Sequence, residues 1–435
     1  MRKLCMTILF GCFGLSLFAQ PTFPVNGTAD QREPLYAFKN ATIVQDAQHV
    51  LNNATLLIRQ DKIIAVGTNV TIPTEAIVVD CSGKFIYPSF IDLYADYGIQ
   101  VAANQAAGGR NAYLNVQLNS NTKGAFGWNQ AIKADVDAGA IFVVDDTKAK
   151  ALRDAGFGSV LAHQKDGIAR GTGTFVSLAS VKENVAIIKE KASAHYSLSK
   201  GSSQQSYPSS MMGSITLLRQ TYYDAKWYKN NAAKEGVNLS LIAWNNNQSL
   251  PQIFEANDKW NILRADRIGD EFGVQYIIKT GGNEYQRIPE IVSTGASLIV
   301  PINYPMAMDV EDPTDARFVS LSDMKHWELA PTNPAALEKA GITFSLTTAD
   351  LRSPNAFLTN LRKAIDYGLS ETKALEALTT NPAKMIGVND AVGSIEQGKM
   401  ANFIITTGNV FNEKSSIIEN WIQGNKYDVN PNEWN

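Results

Sequence analysis

The sequence predicts an α/β protein in which a barrel of parallel strands is joined to a small β-sandwich. Short β-branched runs dominate residues 36–85, strand patterns alternate with helix patterns through residues 86–387, and strands return in residues 388–435. Such alternation is typical of a parallel sheet covered by helices, most simply a closed barrel. Because β runs occupy both ends of the chain, we expect the two termini to build one composite sandwich.

The N-terminus has the pattern of a secretory signal. Arg2 and Lys3 precede an apolar run, 4–18, which is shorter than the roughly 20 residues that a membrane-spanning helix needs. We expect residues 1–19 to be removed and the mature chain to begin with a polar leader, 20–35. The pattern predicts export to the periplasm or the extracellular space, with no membrane span after signal cleavage.

The sandwich strands are predicted from β-branched runs that Asn, Asp and Gly interrupt. Four of these runs precede the barrel segment and two follow it: 41–44, 54–58, 62–66, 76–79, 401–406 and 417–422. No short-period repeat is visible in the chain. We therefore assign the runs on both sides of the barrel segment to one small domain.

The barrel segment contains short strand runs followed by helical patterns. The strand runs are 141–144, 159–162, 174–178, 252–255, 275–279, 296–302 and 343–348. The helical stretches are 148–155, 211–223, 258–272, 288–293, 334–340 and 357–367. The Ser-rich tract 192–210 interrupts the alternation, and we predict that it is an exposed loop.

Composition limits the kinds of partner and site. Of the 435 residues 45% are apolar and 19% charged, and the net charge of −3 is spread along the chain, so no nucleic-acid partner is expected. Cys5 and Cys12 fall in the predicted signal, which leaves Cys81 as the single thiol of the mature chain. One thiol forms no internal disulfide and cannot build a thiolate metal site.

Motifs at both ends of the barrel segment point to a family. Residues 83–92, Gly-Lys-Phe-Ile-Tyr-Pro-Ser-Phe-Ile-Asp, resemble the opening of the amidohydrolase superfamily barrel, where the chain leaves the sandwich for the first barrel strand. Residues 379–384 and 393–402 resemble the return into the sandwich, with Asn402 where the family usually has Asp. Two terminal motifs in the correct order and at barrel-length spacing make the resemblance specific. Such motifs indicate fold rather than activity.

The resemblance implies a (β/α)8 TIM-type barrel, 86–387, and a composite β-sandwich, 36–85 and 388–435. The chain is most similar to imidazolonepropionase-like members and to the N-terminal half of long tandem bacterial amidohydrolases. A second amidohydrolase domain or a second copy is therefore the expected partner, and a small molecule the expected ligand. Active members hydrolyse non-peptide C–N bonds with one or two divalent metal ions (Zn, Mn or Mg) at the carboxyl ends of the barrel strands.

The residues at the family's metal-ligand positions depart from its pattern. Tyr94 and Asp96 stand where the first strand carries a His-x-His pair. Glu255 and Lys279 stand where the fifth and sixth strands end in His, and only Asp350, after the eighth strand, matches the proton-shuttling Asp. A fourth-strand ligand is not identified. Because imidazole suits zinc-like metals, we predict no confident metal ligand among these residues.

The four histidines of the chain lie away from the ligand positions. His49 falls in the sandwich, His163 follows the second-strand run, His195 lies in the Ser-rich tract and His326 precedes the eighth strand. We predict each to be a surface or hydrogen-bonded histidine rather than a metal ligand.

Three interpretations stay open. In the first, which we favour, the site has decayed: Lys279 pairs with Asp96, Glu255 or Asp350 in place of the metal, no cofactor binds, and the protein is a pseudoenzyme. In the second, the three carboxylates hold a harder ion such as Mg²⁺, Mn²⁺ or Ca²⁺. In the third, the strand alignment is shifted and a metal-dependent hydrolase with an atypical site survives.

The sequence therefore assigns a hydrolase family and leaves enzymatic activity undecided. Gly281 and Gly282 follow the sixth strand, where glycine would let a ligand approach the backbone, and we regard them as a weak ligand-binding candidate. The substrate stays open because pocket loops determine it.

Overall fold

The computed structural model describes residues 34–99, Ser120 and residues 123–434. The predicted signal segment, 1–19, and nearly all of the predicted leader lie outside the described residues. The described strands are β1 (Leu35–Val44), β2 (Val50–Arg59), β3 (Lys62–Gly67), β4 (Ile77–Asp80), β5 (Phe85–Pro88), β6 (Phe90–Ala95), β7 (Phe157–His163), β8 (Ala169–Ser177), β9 (Ile187–Ser197), β10 (Gln252–Glu255), β11 (Tyr276–Lys279), β12 (Leu298–Pro301), β13 (Phe344–Thr347), β14 (Phe403–Thr406), β15 (Ile417–Ile422) and β16 (Asn425–Asp428).

The α-helices lie mainly between the strands of the barrel. Within the described ranges they are α1 (Ala138–Ile141), α2 (Asp146–Asp154), α3 (Glu183–Ala186), α4 (Met211–Glu235), α5 (Leu239–Asn247), α6 (Lys259–Phe272), α7 (Ile288–Ser293), α8 (Pro313–Ala316), α9 (Leu321–Leu329), α10 (Asn333–Lys339), α11 (Phe357–Asp366), α12 (Glu371–Leu378) and α13 (Thr380–Met385). Single 3-10 turns occupy Glu284–Gln286, Ala330–Thr332, Pro354–Ala356 and Pro431–Glu433. In this part of the chain no helix combines the length and the apolar character that a membrane span requires.

Helix α6 illustrates how local sequence sets the boundaries of an element. Asp258 precedes it in an extended conformation, and its carboxylate accepts from the backbone N–H groups of Trp260 and Asn261. Gly273 follows in the left-handed conformation, with φ near 70°, which glycine adopts without strain. Ile262, Ala265 and Ile268 recur on one face and are buried against the sheet.

Both ends of the chain contribute to one eight-stranded sheet. Its order is β16-β15-β14-β5-β1-β2-β3, and β4 pairs with β1 beside β5. The C-terminal strand β14 pairs antiparallel with β5, the strand that precedes the barrel. Phe38, Phe403 and Trp421 form its aromatic centre, with ring centroids 5.0–5.8 Å apart. This is the composite β region that the sequence predicts.

The second sheet follows the chain in the order β6 to β13 and forms the barrel strands. The α/β TIM-type fold class is confirmed, with one departure: β8 runs antiparallel to both β7 and β9. Residues 164–168 join β7 to β8, and such a short connection permits a hairpin but not a parallel crossover, which needs a dozen residues or more. The amino end of β8 therefore lies at the carboxyl ends of its neighbours.

Two local predictions for the barrel are wrong. Residues 187–197 form strand β9, so the exposed Ser-rich loop cannot begin at 192. The four serines and alanines of 192–197 are small enough for a crowded interior, and they are buried together with His195 and Tyr196. Residues 141–144 are not a strand, since α1 ends at Ile141 and Phe142 makes only an isolated bridge to Ile99.

The buried Asp92 carboxylate joins the first and last barrel strands. Its oxygens accept from Thr347 Oγ1 at 2.6 Å, Thr348 Oγ1 at 2.6 Å and the Thr348 backbone N–H at 2.8 Å. They also accept from the Tyr94 backbone N–H at 2.9 Å. These bonds fix the carboxyl end of β6 against the carboxyl end of β13 and hold the barrel closed.

We expect Asp92→Asn to lower the free energy of unfolding by about 2–4 kcal/mol, because one amide oxygen replaces two acceptor oxygens and the amide N–H meets other donors. Urea denaturation measures the effect. The matched control is Asp96→Asn, since Asp96 is exposed two residues beyond the first ligand position of the same strand. Equal losses in the two variants would contradict the closure role.

Candidate functional site

Most of the predicted site residues meet at the carboxyl end of the barrel. Tyr94 lies near the end of β6, Glu255 and Lys279 end β10 and β11, and Asp350 follows β13. Because the carboxyl ends of parallel strands converge at one face of a barrel, the sequence order already brings these positions together. Asp96 lies just beyond β6 with an exposed side chain, and within the described part of the chain it does not join the other carboxylates in a group that could hold a metal ion.

Arg170 organises one half of the site. Its Nη1 donates to Tyr94 Oη at 2.8 Å, its Nε donates to the Gly167 carbonyl at 3.1 Å, and its Nη2 lies 2.6 Å from Glu255 Oε2. The side chain is only 4% exposed. Sequence reasoning missed Arg170, because a residue at the start of a strand faces the active end only when that strand is antiparallel.

Lys279 organises the other half. Its Nζ lies 2.5 Å from Asp350 Oδ2 and donates to Asn257 Oδ1 at 3.2 Å. The Lys279 side chain is 1% exposed, whereas Asp350 is half exposed at the rim. Of the three carboxylates that the sequence offered as partners for Lys279, the structure selects Asp350. Asp350 adopts the left-handed backbone conformation, with φ near 68°, which turns its carboxylate back toward the barrel.

Tyr94 lies between these two halves. Its ring has the Lys279 ammonium 5.4 Å from its centroid and the Lys165 ammonium 5.0 Å from it. Both separations are within the range of cation–π attraction. Burial raises the pKa of the Tyr94 hydroxyl well above its usual range, so the group stays protonated. Tyr94 thus presents a neutral hydroxyl to the Arg170 guanidinium.

The charges of the site are paired. Burial alone would raise the pKa of Glu255, but the attraction of Arg170 and then of Lys279 outweighs it and the pKa is lowered. Glu255 is therefore ionised at neutral pH. Two buried cations face two carboxylates, which is the arrangement that makes buried charge tolerable.

A stacked pair of histidines lies directly beneath Tyr94. His163 ends β7 and His195 lies on β9, and their rings are 3.7 Å apart and nearly parallel. The Tyr94 ring contacts His163 at 4.5 Å between centroids. Gly173 on β8 makes room for the pair, because a Cβ there would lie 2.5 Å from His195 Nε2.

Both rings are neutral for electrostatic reasons. Burial lowers the pKa of His163 well below its usual value, and His195, Lys165 and Arg170 lower it further. Burial likewise lowers the pKa of His195, with Arg170 and Lys165 adding to the effect. His195 Nε2 is 2.7 Å from Ser193 Oγ.

The histidine predictions fare differently. His195 is hydrogen-bonded, as predicted, but its placement in an exposed loop is wrong because it lies on a buried strand. His163 is buried rather than at the surface. His49 is a surface histidine, 70% exposed, with Nδ1 2.9 Å from Asp46. His326 is half-buried with its Nδ1 3.0 Å from Tyr285 Oη.

Comparison with known proteins adds a family to this geometry. Residues 328–429 match the model of the amidohydrolase family, a segment that contains β13, Asp350 and the return into the composite sheet. The match spans 102 of the 435 residues, so this segment is similar to the amidohydrolase family. No curated protein sequence matches it.

Solved structures share the fold of this chain. An amidohydrolase from Thermotoga maritima MSB8 superposes with a TM-score of 0.70 and 24% identity, covering 90% of this chain and all of that one. A prolidase complexed with N-methylphosphonate-L-proline gives 0.53 and 15%, covering 91% and 99%. A dihydropyrimidinase from Brevibacillus agri NCHU1002 gives 0.51 and 12%, covering 91% and 95%.

The amidohydrolase family is typically metal-dependent, but the donors present here do not fit a divalent metal. Tyr94 keeps its proton and is bonded to Arg170, and Glu255 is paired with the same guanidinium. The Lys279 ammonium contacts Asp350, the matching carboxylate. Across residues 34–99 and 123–434 no three His, Cys, Asp or Glu side chains come together as metal ligands would.

The Gly281-Gly282 segment of the barrel has a structural partner. The buried Glu284 carboxylate accepts from the backbone N–H groups of Gly281 at 3.2 Å and Gly282 at 2.9 Å. A Cβ on Gly281 would lie 2.1 Å from the Asn257 carbonyl oxygen, so glycine is required for packing. Ligand binding by these two residues stays a prediction.

We expect Arg170→Met to lower the free energy of unfolding by about 3–5 kcal/mol, because it leaves the Glu255 charge buried without its partner. Urea denaturation measures the loss, and the double variant Arg170→Met/Glu255→Gln should recover a substantial part of it. The control is Arg219→Met, which removes an exposed pair with Glu271 and should change stability far less. A similar loss in both arginine variants would contradict the role of Arg170.

We expect stability to fall as the pH drops below about 6.5, before the carboxylates titrate. Since the folded-state pKa values of His163 and His195 are lowered, the unfolded chain takes up these protons first as the pH falls. Each histidine then lowers the free energy of unfolding by about 1.4 kcal/mol for each pH unit of decrease. His163→Phe keeps a stacked ring and removes one titrating group. Urea denaturation at pH 7, 6 and 5 should give a slope for this variant that is lower by that amount. An unchanged slope would show that the pair is not buried and neutral.

Proposed function

We propose that this chain is an exported, noncatalytic member of the amidohydrolase family whose barrel end is held by ion pairs instead of a metal centre. The proposal rests on one observation: the Lys279 ammonium lies 2.5 Å from Asp350, the carboxylate that matches the proton-shuttling position of the family. The N-terminal signal pattern supports export.

The chemistry of hydrolysis explains why this contact matters. Metal-dependent hydrolysis needs a bound water of lowered pKa and a carboxylate that is free to take its proton. Asp350 is held by Lys279, and Glu255 is held by Arg170. Both carboxylates therefore neutralise cations, and neither is available as a base. The barrel then serves as a scaffold that carries binding surfaces.

We expect purified protein to hold less than about a tenth of an equivalent of any divalent metal after mild dialysis, because a buried ammonium repels a metal ion at the same place. Elemental mass spectrometry measures the content. The control is a second sample incubated with excess zinc and manganese before the same dialysis, which separates inability to bind from loss during purification. Close to one equivalent in either sample would overturn the proposal and favour a hydrolase with a carboxylate-rich site.

A variant that restores the first-strand histidines tests the proposal from the other direction. Tyr94→His/Asp96→His returns the His-x-His pair but leaves Lys279 and Arg170 in place. No metal-dependent hydrolysis of amide, imide or carbamate substrates is expected, and the metal content should stay low. Metal-dependent turnover in this variant would count against the ion-pair network as the cause of inactivity.

A further inference from the structure

One long excursion between β12 and β13 exposes an unusual amount of apolar surface. We call residues 303–329 the acidic segment. Helices α8 and α9 within it bury no residue at all. Seven large apolar side chains of the segment are 37–77% exposed: Met306, Val310, Phe318, Leu321, Met324, Trp327 and Leu329. Contiguous apolar surface beyond a few hundred Å² marks an interaction site in soluble proteins.

The acidic segment also carries an excess of negative charge. It contains six carboxylates, against the two cations Arg317 and Lys325, a net charge of −4. The six are Asp309, Glu311, Asp312, Asp315, Asp323 and Glu328. A partner for this surface therefore needs apolar side chains and positive charge together.

A surface with that complementary character lies on the helices that follow β9. We call it the basic face of α4 and α5. Its exposed apolar residues are Tyr223, Trp227, Val237, Leu239 and Ile242, at 38–65% exposure. Lys226, Lys229 and Lys234 lie among them and are exposed, and with the carboxylates Asp224 and Glu235 they give residues 223–242 a net charge of +1.

A small pocket opens beside the basic face. Its volume is about 160 Å³, and its lining includes Trp128, Leu217, Trp227 and Leu241 together with the carboxylate Asp224. An apolar cavity of roughly 150 Å³ is large enough to hold a benzene molecule. The pocket therefore has room for one phenylalanine ring. Phe318, at 77%, is the most exposed large apolar side chain of the acidic segment.

We propose that a second copy of this chain binds through these two surfaces, with the acidic segment of one copy on the basic face of the next and Phe318 in the pocket. Opposite charges on the two surfaces favour this pairing over acidic segment against acidic segment.

The two surfaces belong to different parts of the same barrel, so the contact is head-to-tail. The basic face follows the fourth strand of the barrel sheet and the acidic segment follows the seventh. Head-to-tail contacts leave one surface of each kind unused in a dimer, and they close into rings or extend into chains. The association depends on exposed residues and is independent of whether the barrel end holds a metal.

The test is sedimentation velocity of the wild-type protein and two variants, each at micromolar to 100 micromolar concentration. Phe318→Asp removes the inserted ring and Trp227→Asp damages the basic face and the pocket. We expect wild-type protein to associate beyond a dimer, less so in 0.5 M NaCl, and each variant alone to stay monomeric. Val185→Asp, an exposed apolar site outside both surfaces, is the control and should associate like wild type.

The mixture of the two variants decides the geometry. Phe318→Asp keeps an intact basic face and Trp227→Asp keeps an intact acidic segment, so an equimolar mixture should form a dimer that goes no further. Wild-type protein that is monomeric at every concentration overturns the proposal. A dimer that persists in either variant alone also overturns the proposal, because a symmetric contact through another surface would behave that way. A mixture that stays monomeric while wild type associates overturns it too, because the intact surface of each variant should bind the other.

Discussion

The ion pair between Arg170 and Glu255 is the interaction on which the arrangement of the barrel end depends. A guanidinium and a carboxylate taken out of water are tolerable only when they neutralise each other and satisfy each other's hydrogen bonds. Arg170 meets this condition by bonding Glu255, Tyr94 and the Gly167 carbonyl at once. With Arg170 fixed, the Tyr94 ring is fixed between it and Lys279. The position of Tyr94 in turn covers the buried histidine pair.

The direction of one strand makes this ion pair available. In a barrel of eight parallel strands, only residues at strand carboxyl ends and in the loops after them reach the active face. Because β8 runs against its neighbours, Arg170 enters that face from a strand's amino end. The short connection of residues 164–168 enforces the reversal. A local feature of chain length thus supplies the cation that the site uses.

Sequence patterns predicted the features that depend on periodicity and on local motifs. The composite sheet and the barrel follow from the strand patterns, whereas Tyr94, Glu255, Lys279 and Asp350 were identified through the resemblance to the family's ligand positions. The patterns could not predict which carboxylate Lys279 would choose, because that choice depends on backbone geometry such as the left-handed turn at Asp350. Composition also failed to predict the end of β9, because serine is common in loops and yet fits a crowded barrel interior.

Carboxylates gathered at the end of a barrel pose an electrostatic problem that has two solutions. A divalent metal can neutralise them, or arginine and lysine can. The two solutions exclude each other locally, because a cationic side chain within hydrogen-bond reach of a carboxylate both repels a metal ion and occupies the oxygen that would bind it. Under the proposed function, a metal centre at this barrel end would require changes at Arg170, Lys279 and Tyr94 together. A histidine in place of Glu255 alone would leave Arg170 without its carboxylate, and a histidine in place of Lys279 alone would leave Asp350 without its ammonium.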